Sequence, residues 1–428
     1  MKKKTDKMLY VIYALAFSLP FGNIIKIQLI TIGEKTFVFA LYEIIIMLSI
    51  IFFFKRHIYY LKKDPVNIVL LIWIATSIIN CMIMIYFNKY MTTSVYLKNM
   101  FYILTWSIAM MTYIVFSHAE INDIIKKRLI KVFITSTIIV LIIVIYWEYK
   151  LFNITSIITL TSFRLGGFEG AGPPYDSINT NNIGVLFSFA FILLYSFKPT
   201  LKVLVLKVVF FAAVILTSSR ESIILLVFSI LVLFIIEKKC RMNFLVEIST
   251  FIIVFLVVFY LAMQYTGVYN GFILRYSAFF NPAKALEEDR LGLWRDIINN
   301  LFEIKSSIFI GYGPEGVLHM SRLLLNKNIY NGDNSIIGVF ISQGIIGLIF
   351  FSSFMFMFFS KLWISIKNSD KLITKSIIAF AIAYILTSLF SPRFLWPYNP
   401  LNASLLFFCS LYLKNNNDKE KKSESTNG

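Results

Sequence analysis

Four arginines (Arg164, Arg220, Arg290 and Arg295) and two carboxylates (Asp333 and Glu169) are the side chains best suited to chemistry in this 428-residue sequence. A guanidinium presents paired N–H donors in a planar fork that fits two phosphate oxygens at once, whereas a lysine ammonium acts as a point charge. A carboxylate can take the proton of an attacking hydroxyl as a bond forms. On that chemistry Asp333 is the first candidate for a general base and Glu169 the second. The arginines, together with Asn334, are the candidates to hold an anionic substrate. Each has a plainer reading: an arginine paired with a loop acid, Asp333 or Asn334 capping the helix that follows, or, for Arg164 and Glu169, a place on a glycine-rich surface connection.

Such side chains can converge only if one side of a membrane gathers them. Hydrophobic residues make up 58% of the sequence and charged residues 15%, with a mean hydropathy of +0.75, whereas soluble chains carry roughly a quarter charged residues. The expected class is therefore an all-α polytopic membrane protein. At about 20 apolar residues per crossing, twelve spans are expected, at 8–21, 37–54, 66–87, 97–116, 129–147, 183–197, 201–217, 222–236, 244–263, 335–359, 373–390 and 398–413. The first follows MKKKTDK and resembles a secretory leader, but the many later apolar runs make it read as a retained span. Residues 1–413 form one expected transmembrane domain, and the polar tail 414–428 is expected to be disordered in the cytoplasm.

Short connections rich in lysine stay on the cytoplasmic side. Lys55, Arg56, Lys62 and Lys63, then Lys126, Lys127, Arg128 and Lys131, then Lys238, Lys239 and Arg241, then Lys361, Lys367 and Lys371, and last the tail, fall on alternate connections. Both termini are thus expected in the cytoplasm, and the net charge of +18 follows topology instead of marking a nucleic-acid surface. Seven of the ten arginines (Arg164, Arg220, Arg275, Arg290, Arg295, Arg322 and Arg393) then face outward. The three cysteines are scattered, without a CxxC pair, and no HExxH, Walker A or GxGxxG motif is present. The sequence therefore shows no cradle for a metal or nucleotide cofactor.

Three outer stretches position the candidates. The connection 148–182 carries RLGGFEGAGPP, whose glycines and prolines rule out a regular helix. Spans seven and eight are short, about 15 residues or some 22 Å each, so their shared tip TSSRES is expected below the outer surface, with Arg220 at membrane depth. The large outer loop 264–334, between spans nine and ten, contains an amphipathic stretch from Arg290 to Phe302, the glycine turn IFIGYGPEG, and then a helix start capped by Asp333 or Asn334. Among other polar residues in spans, Glu43 is expected mid-helix, as a path-lining or hydrogen-bonded structural acid, and Lys207 to snorkel to the inner surface. His319 reads as surface decoration.

The succession R-x-x-x-W-R, GYGPEG, D-N-S and G-I-I-G-L, with the SSR tip and the R-L-G-G-F loop before N-T-N-N-I-G, resembles the O-antigen polymerase and O-antigen ligase superfamily over roughly residues 162–348. In the ligase branch a histidine precedes the Asn-Ser pair; Asp333 stands there in this sequence, which favours a Wzy-type polymerase. The resemblance implies a GT-C-like membrane glycosyltransferase that joins oligosaccharide repeat units into O-antigen or capsular polysaccharide. The units would be carried on undecaprenyl pyrophosphate, as both donor and acceptor, at the outer side of the bacterial cytoplasmic membrane. It implies no metal and no cofactor, contact with membrane lipid, and allows a chain-length regulator as partner. The competing expectations are an O-antigen ligase, or a flippase or other transporter of lipid-linked glycans, whose mid-membrane charges and internal repeat the sequence does not show.

Overall fold

The computed structural model of the chain describes residues 2–32, 35–61, 64–87, 92–117, 119, 121–159, 165, 180–217, 219–237, 307–314, 334–369, 371–389 and 400–413, with single positions at 249, 253, 256, 257, 260, 299, 319 and 321. Most of these are helical. Long apolar runs that satisfy every backbone group within their own segment are what a lipid surrounding demands. In chain order the elements are α1 (Lys2–Ser18), a 3-10 turn (Leu19–Asn23), β1 (Lys26–Ile32), β2 (Lys35–Ala40), α2 (Leu41–Leu61), α3 (Pro65–Phe87), α4 (Thr93–Phe116) and α5 (Asp123–Thr159). They continue with α6 (Thr180–Leu193), α7 (Leu201–Leu216), α8 (Arg220–Ile236), the single turn α9 (Ser307–Ile310), α10 (Ser335–Asn368), α11 (Leu372–Ser388) and α12 (Pro400–Tyr412).

Among the described residues four helices are long and apolar enough to cross a membrane: Pro65–Met84, Thr93–Phe116, Asp123–Lys150 and Ser335–Asn368. Five shorter apolar helices accompany them. The bundle is apolar outside as well as inside. Ile51, Phe52, Ile142, Ile235 and Phe356 are exposed on its flanks, where lipid chains, not water, suit them. Its centre is α12, buried from Leu401 to Leu413. There Phe407 and Phe408 meet Phe116 and Phe133, and Phe189 stacks on Phe380 with ring centroids 4.4 Å apart. Aromatic pairs of this kind add about 0.5–1.5 kcal/mol each beyond the area they bury.

Four expectations change. The fold is not purely helical: β1 and β2 form an antiparallel hairpin, Lys26 opposite Ala40 and Ile32 opposite Lys35, with an irregularity between Gln28 and Ile30. The second helix accordingly begins at Leu41, not at Phe37. There Glu43 lies in its first turn instead of mid-span. Its carboxylate accepts from the Ala40 amide at 2.8 Å and from the Tyr42 hydroxyl at 3.3 Å, so it is a structural acid tying the hairpin to the helix start. Helix α5 runs on past Glu148 to Thr159, twelve residues into the stretch expected as an outer connection. Lys207 does not snorkel: it is buried in α7, its Nζ 3.4 Å from the Tyr195 ring centroid, a cation–π contact that replaces part of its lost hydration.

At the end of the bundle that carries the lysines, three ion pairs join four connections. Lys361 meets Asp64 at 2.5 Å, Lys371 meets Asp123 at 2.5 Å, and Lys375 meets Glu237 at 2.8 Å. The Tyr412 hydroxyl adds a bond to the Lys126 carbonyl at 2.9 Å. The α2–α3, α4–α5 and α10–α11 connections and the end of α8 thus lie together. The expected alternation of spans requires the same grouping.

Candidate functional site

At the opposite end of the bundle the starts of α6 and α8 lie against each other. The tip between α7 and α8 reads Thr-Ser-Ser-Arg-Glu-Ser. Short hydroxyl side chains compete for backbone groups and so end one helix and cap the next. Thr217 turns its hydroxyl onto the Val214 carbonyl at 2.7 Å, closing α7, and accepts from the Ser219 amide at 3.3 Å. Ser219 then caps α8, its Oγ accepting from the Ser222 amide at 3.3 Å.

Arg220 is the first residue of α8 and is half-buried. A cation at that position opposes the positive end of the helix dipole, a cost of about 0.3–1 kcal/mol. Glu221, next along, has the favourable sign.

Helix α6 contributes its N-terminal T-N-N. Asn181 Oδ1 accepts from the Ser219 hydroxyl at 2.8 Å, and the Asn181 carbonyl accepts from the Ser222 hydroxyl at 3.2 Å. The two helices approach this closely because residue 184 is glycine: a Cβ there would stand 2.5 Å from Ser222 Oγ and 2.8 Å from Thr217 Oγ1. On its other side the same helix start borders a small apolar recess lined by Pro20, Ile24, Val140, Asn182, Ile183 and Leu401. The connection before α6 is fastened to the tip as well. Leu165, buried, donates its amide to the Leu216 carbonyl at 2.9 Å, satisfying one of the acceptors that the end of α7 leaves open.

A second polar seam lies where α9 and the glycine turn after it meet α10. After α9, Gly311 and Gly313 have φ of +75° and +72°, as the glycine-rich turn predicts. The turn docks on a break in α10 at Gly344, φ +67° and ψ −167°. The break exposes carbonyls, and each finds a donor: Ile341 from the Tyr312 amide at 2.9 Å, Ser342 from the Gly313 amide at 2.8 Å, Gln343 from Asn80 at 3.3 Å. The Gln343 side chain accepts from the Trp73 indole at 2.7 Å, and Asn99 donates to the Tyr312 carbonyl at 3.3 Å. Any side chain at 344 would meet the Phe309 carbonyl oxygen, already 2.1 Å from an ideal Cβ. These contacts hold the first half of α10 against α3, α4 and the glycine turn.

That half-helix starts at Asn334, which is its cap. Oδ1 accepts from the amides of Ile336 at 2.8 Å and Ile337 at 3.2 Å, so the capping reading expected of Asp333 or Asn334 falls on Asn334. Of the expected site residues, Arg220 and Asn334 are described. Arg164, Glu169, Arg290, Arg295 and Asp333 lie outside the described residues, as does the amphipathic stretch 290–302 apart from position 299. Asn181, Ser219, Trp73 and Gln343 were not singled out from sequence. The first two stand in the quoted strings N-T-N-N-I-G and T-S-S-R-E-S, where their polarity beside apolar runs was the available signal. Among the described residues no three His, Cys, Asp or Glu side chains converge as metal ligands would.

Apolar flanks around polar seams define an integral membrane protein with a polar site at one end of its bundle. Within it, residues 205–352, from α7 through the break in α10, match a family model described as O-antigen ligase, which supports the resemblance to the O-antigen ligase and polymerase superfamily. No curated protein matches the chain.

Proposed function

We propose that the chain is a repeat-unit polymerase, transferring a growing glycan from undecaprenyl pyrophosphate to a sugar hydroxyl of a second lipid-linked unit. The reaction would take place at the outer side of the cytoplasmic membrane, with both termini inside, about twelve spans in one transmembrane domain of GT-C-like form, and the tail beyond residue 413 in the cytoplasm. The observation that carries this reading is the placement of Arg220. A guanidinium opens α8, next to the start of α6, with the connection that follows Arg164 bonded to the same tip through Leu165.

The leaving group is a pyrophosphate, and its charge grows as the glycosidic bond breaks. Donors fixed beforehand at that point stabilise the transition state more than the ground state. Arg220 takes this role, with Arg164 and with Arg290 and Arg295 of the outer loop. Asp333, just before the cap of α10, takes the proton of the acceptor hydroxyl, and Glu169 is the second candidate for that step. Asn334 holds the half-helix start toward substrate and uses Oδ1 for capping while doing so. Charge stabilisation by guanidinium groups and proton removal by a carboxylate suffice for the transfer, so no metal is assigned a step. A chain-length regulator would act from outside this machinery.

Replacing Arg220 or Arg290 by lysine is expected to abolish high-molecular-weight polymer in cells while single repeat units remain attached, read as a ladder on a gel. Normal ladders from both variants would refute the reading. A ligase remains the second reading, because the description of the matching family model favours it. Purified protein supplied only with lipid-linked repeat units separates the two, since a polymerase lengthens them and a ligase does not.

A further inference from the structure

We infer that Asn181 is the positioning residue for Arg220, acting through the hydroxyl of Ser219. The inference rests on the reading that Arg220 grips a pyrophosphate. Ser219 caps α8 only while its oxygen accepts from the Ser222 amide, so its own proton must point elsewhere. Asn181 Oδ1, 2.8 Å away, takes that proton and fixes the rotor. Ser222 Oγ lies 2.9 Å from Ser219 Oγ and 3.2 Å from the Asn181 carbonyl, so one residue of α6 engages both hydroxyls in the first turn of α8. Ser188, two turns further along α6, adds a bond to the Ser222 carbonyl at 3.2 Å.

Arg220 directly follows Ser219. The direction in which its side chain leaves the backbone is therefore set by this cap, and a displacement of about 1 Å at such a group can cost a hundredfold in rate. These bonds join only neutral groups. An acid in place of Asn181 would accept the same proton, but it would set a negative charge beside the guanidinium and its anion. That difference separates a positioning role from packing alone.

The test measures binding of farnesyl pyrophosphate, a short polyprenyl pyrophosphate, to the full-length protein in lipid nanodiscs, alongside chain growth. Asn181→Ala is expected to weaken binding about tenfold, the worth of one net hydrogen bond, and to lower kcat/KM for the lipid-linked donor by at least as much, with part of the loss in kcat because Arg220 acts chiefly in the transition state. In an Arg220→Lys background the same change should cause no further loss, because the two residues act on one contact. Asn181→Asp, which keeps the acceptor but adds a negative charge, should bind more weakly than the wild type. The inference is overturned if the wild type does not bind the probe, if Asn181→Ala binds normally, if its loss multiplies with that of Arg220→Lys, or if Asn181→Asp binds like the wild type. Should the wild type bind and the variants behave as expected while no polymer forms, the inference stands and the polymerase reading falls.

Discussion

Among the described residues, the two ends of the bundle show different contacts. At the lysine end, Lys361, Lys371 and Lys375 reach carboxylates on neighbouring connections, so charges are neutralised within the protein. At the other end the contacts that align α6 with α8 are between hydroxyls, an amide and backbone carbonyls. Neutral contacts fix position without drawing on the charge of the guanidinium they position. The described contacts divide accordingly: ion pairs join the connections at one end, and neutral hydrogen bonds align the helix starts at the end where we propose that an anion is received.

That division is open to test by substituting at each end in turn. Arg220→Lys should show the largest effect, a loss of the proposed polymerisation on the order of a thousandfold that far exceeds any loss of stability. A fall in stability matching the fall in activity would erase the distinction. Lys361→Ala comes next and should do the reverse. Its partner Asp64 is only 2% exposed, and an orphaned buried carboxylate costs about 3–5 kcal/mol, read as lost thermal stability of the purified protein. Activity per folded molecule should hold. Replacing both partners, Lys361→Met with Asp64→Leu, should recover most of that loss.

The glycine break between the two ends sharpens the comparison. Gly344→Ala forces a positive φ on alanine and presses its Cβ into Phe309, a cost of about 1–3 kcal/mol, and should also lower activity because the first half of α10 loses its direction. Unfolding midpoints and chain growth measured together would show whether both fall. The smallest effect belongs to Lys371→Ala. The pair with Asp123 is about 60% exposed on both sides, and such pairs are worth about 0–1 kcal/mol, so the melting temperature should hardly move. At the exposed Asp123, its hydrogen bond with Lys371 holds the carboxyl below the usual carboxylate range; the small contribution is present at neutral pH and is lost as pH falls through that lowered value.

Much of this was legible in the residues themselves. Apolar runs gave the helices, the TSSRES tip ended one short helix and began the next, GYG made its turn, and D-N-S made a helix start. These are local properties, set by hydrogen-bond competition and backbone freedom within a few positions. Glu43 and Lys207 show where local reading stops: each sits in an apolar run, and only the hairpin before α2 and the Tyr195 ring beside α7 reveal what satisfies it. The hairpin was hidden because its apolar residues run into those of the next helix, and the extra turns of α5 because Glu148 and Lys150 interrupt its apolar run.

The sequence by itself determined that the chain is an apolar helical bundle and which few polar residues interrupt it, since hydropathy and helix-end chemistry are written in neighbouring residues. The tertiary structure alone decided that α12 lies at the centre, that Asn181 meets Ser219 across 38 positions, and that a glycine turn mends a helix broken 30 residues further along. Those pairings depend on which helices come to touch. In a surrounding where every helix is equally apolar, packing shape and a handful of buried hydrogen bonds make that choice.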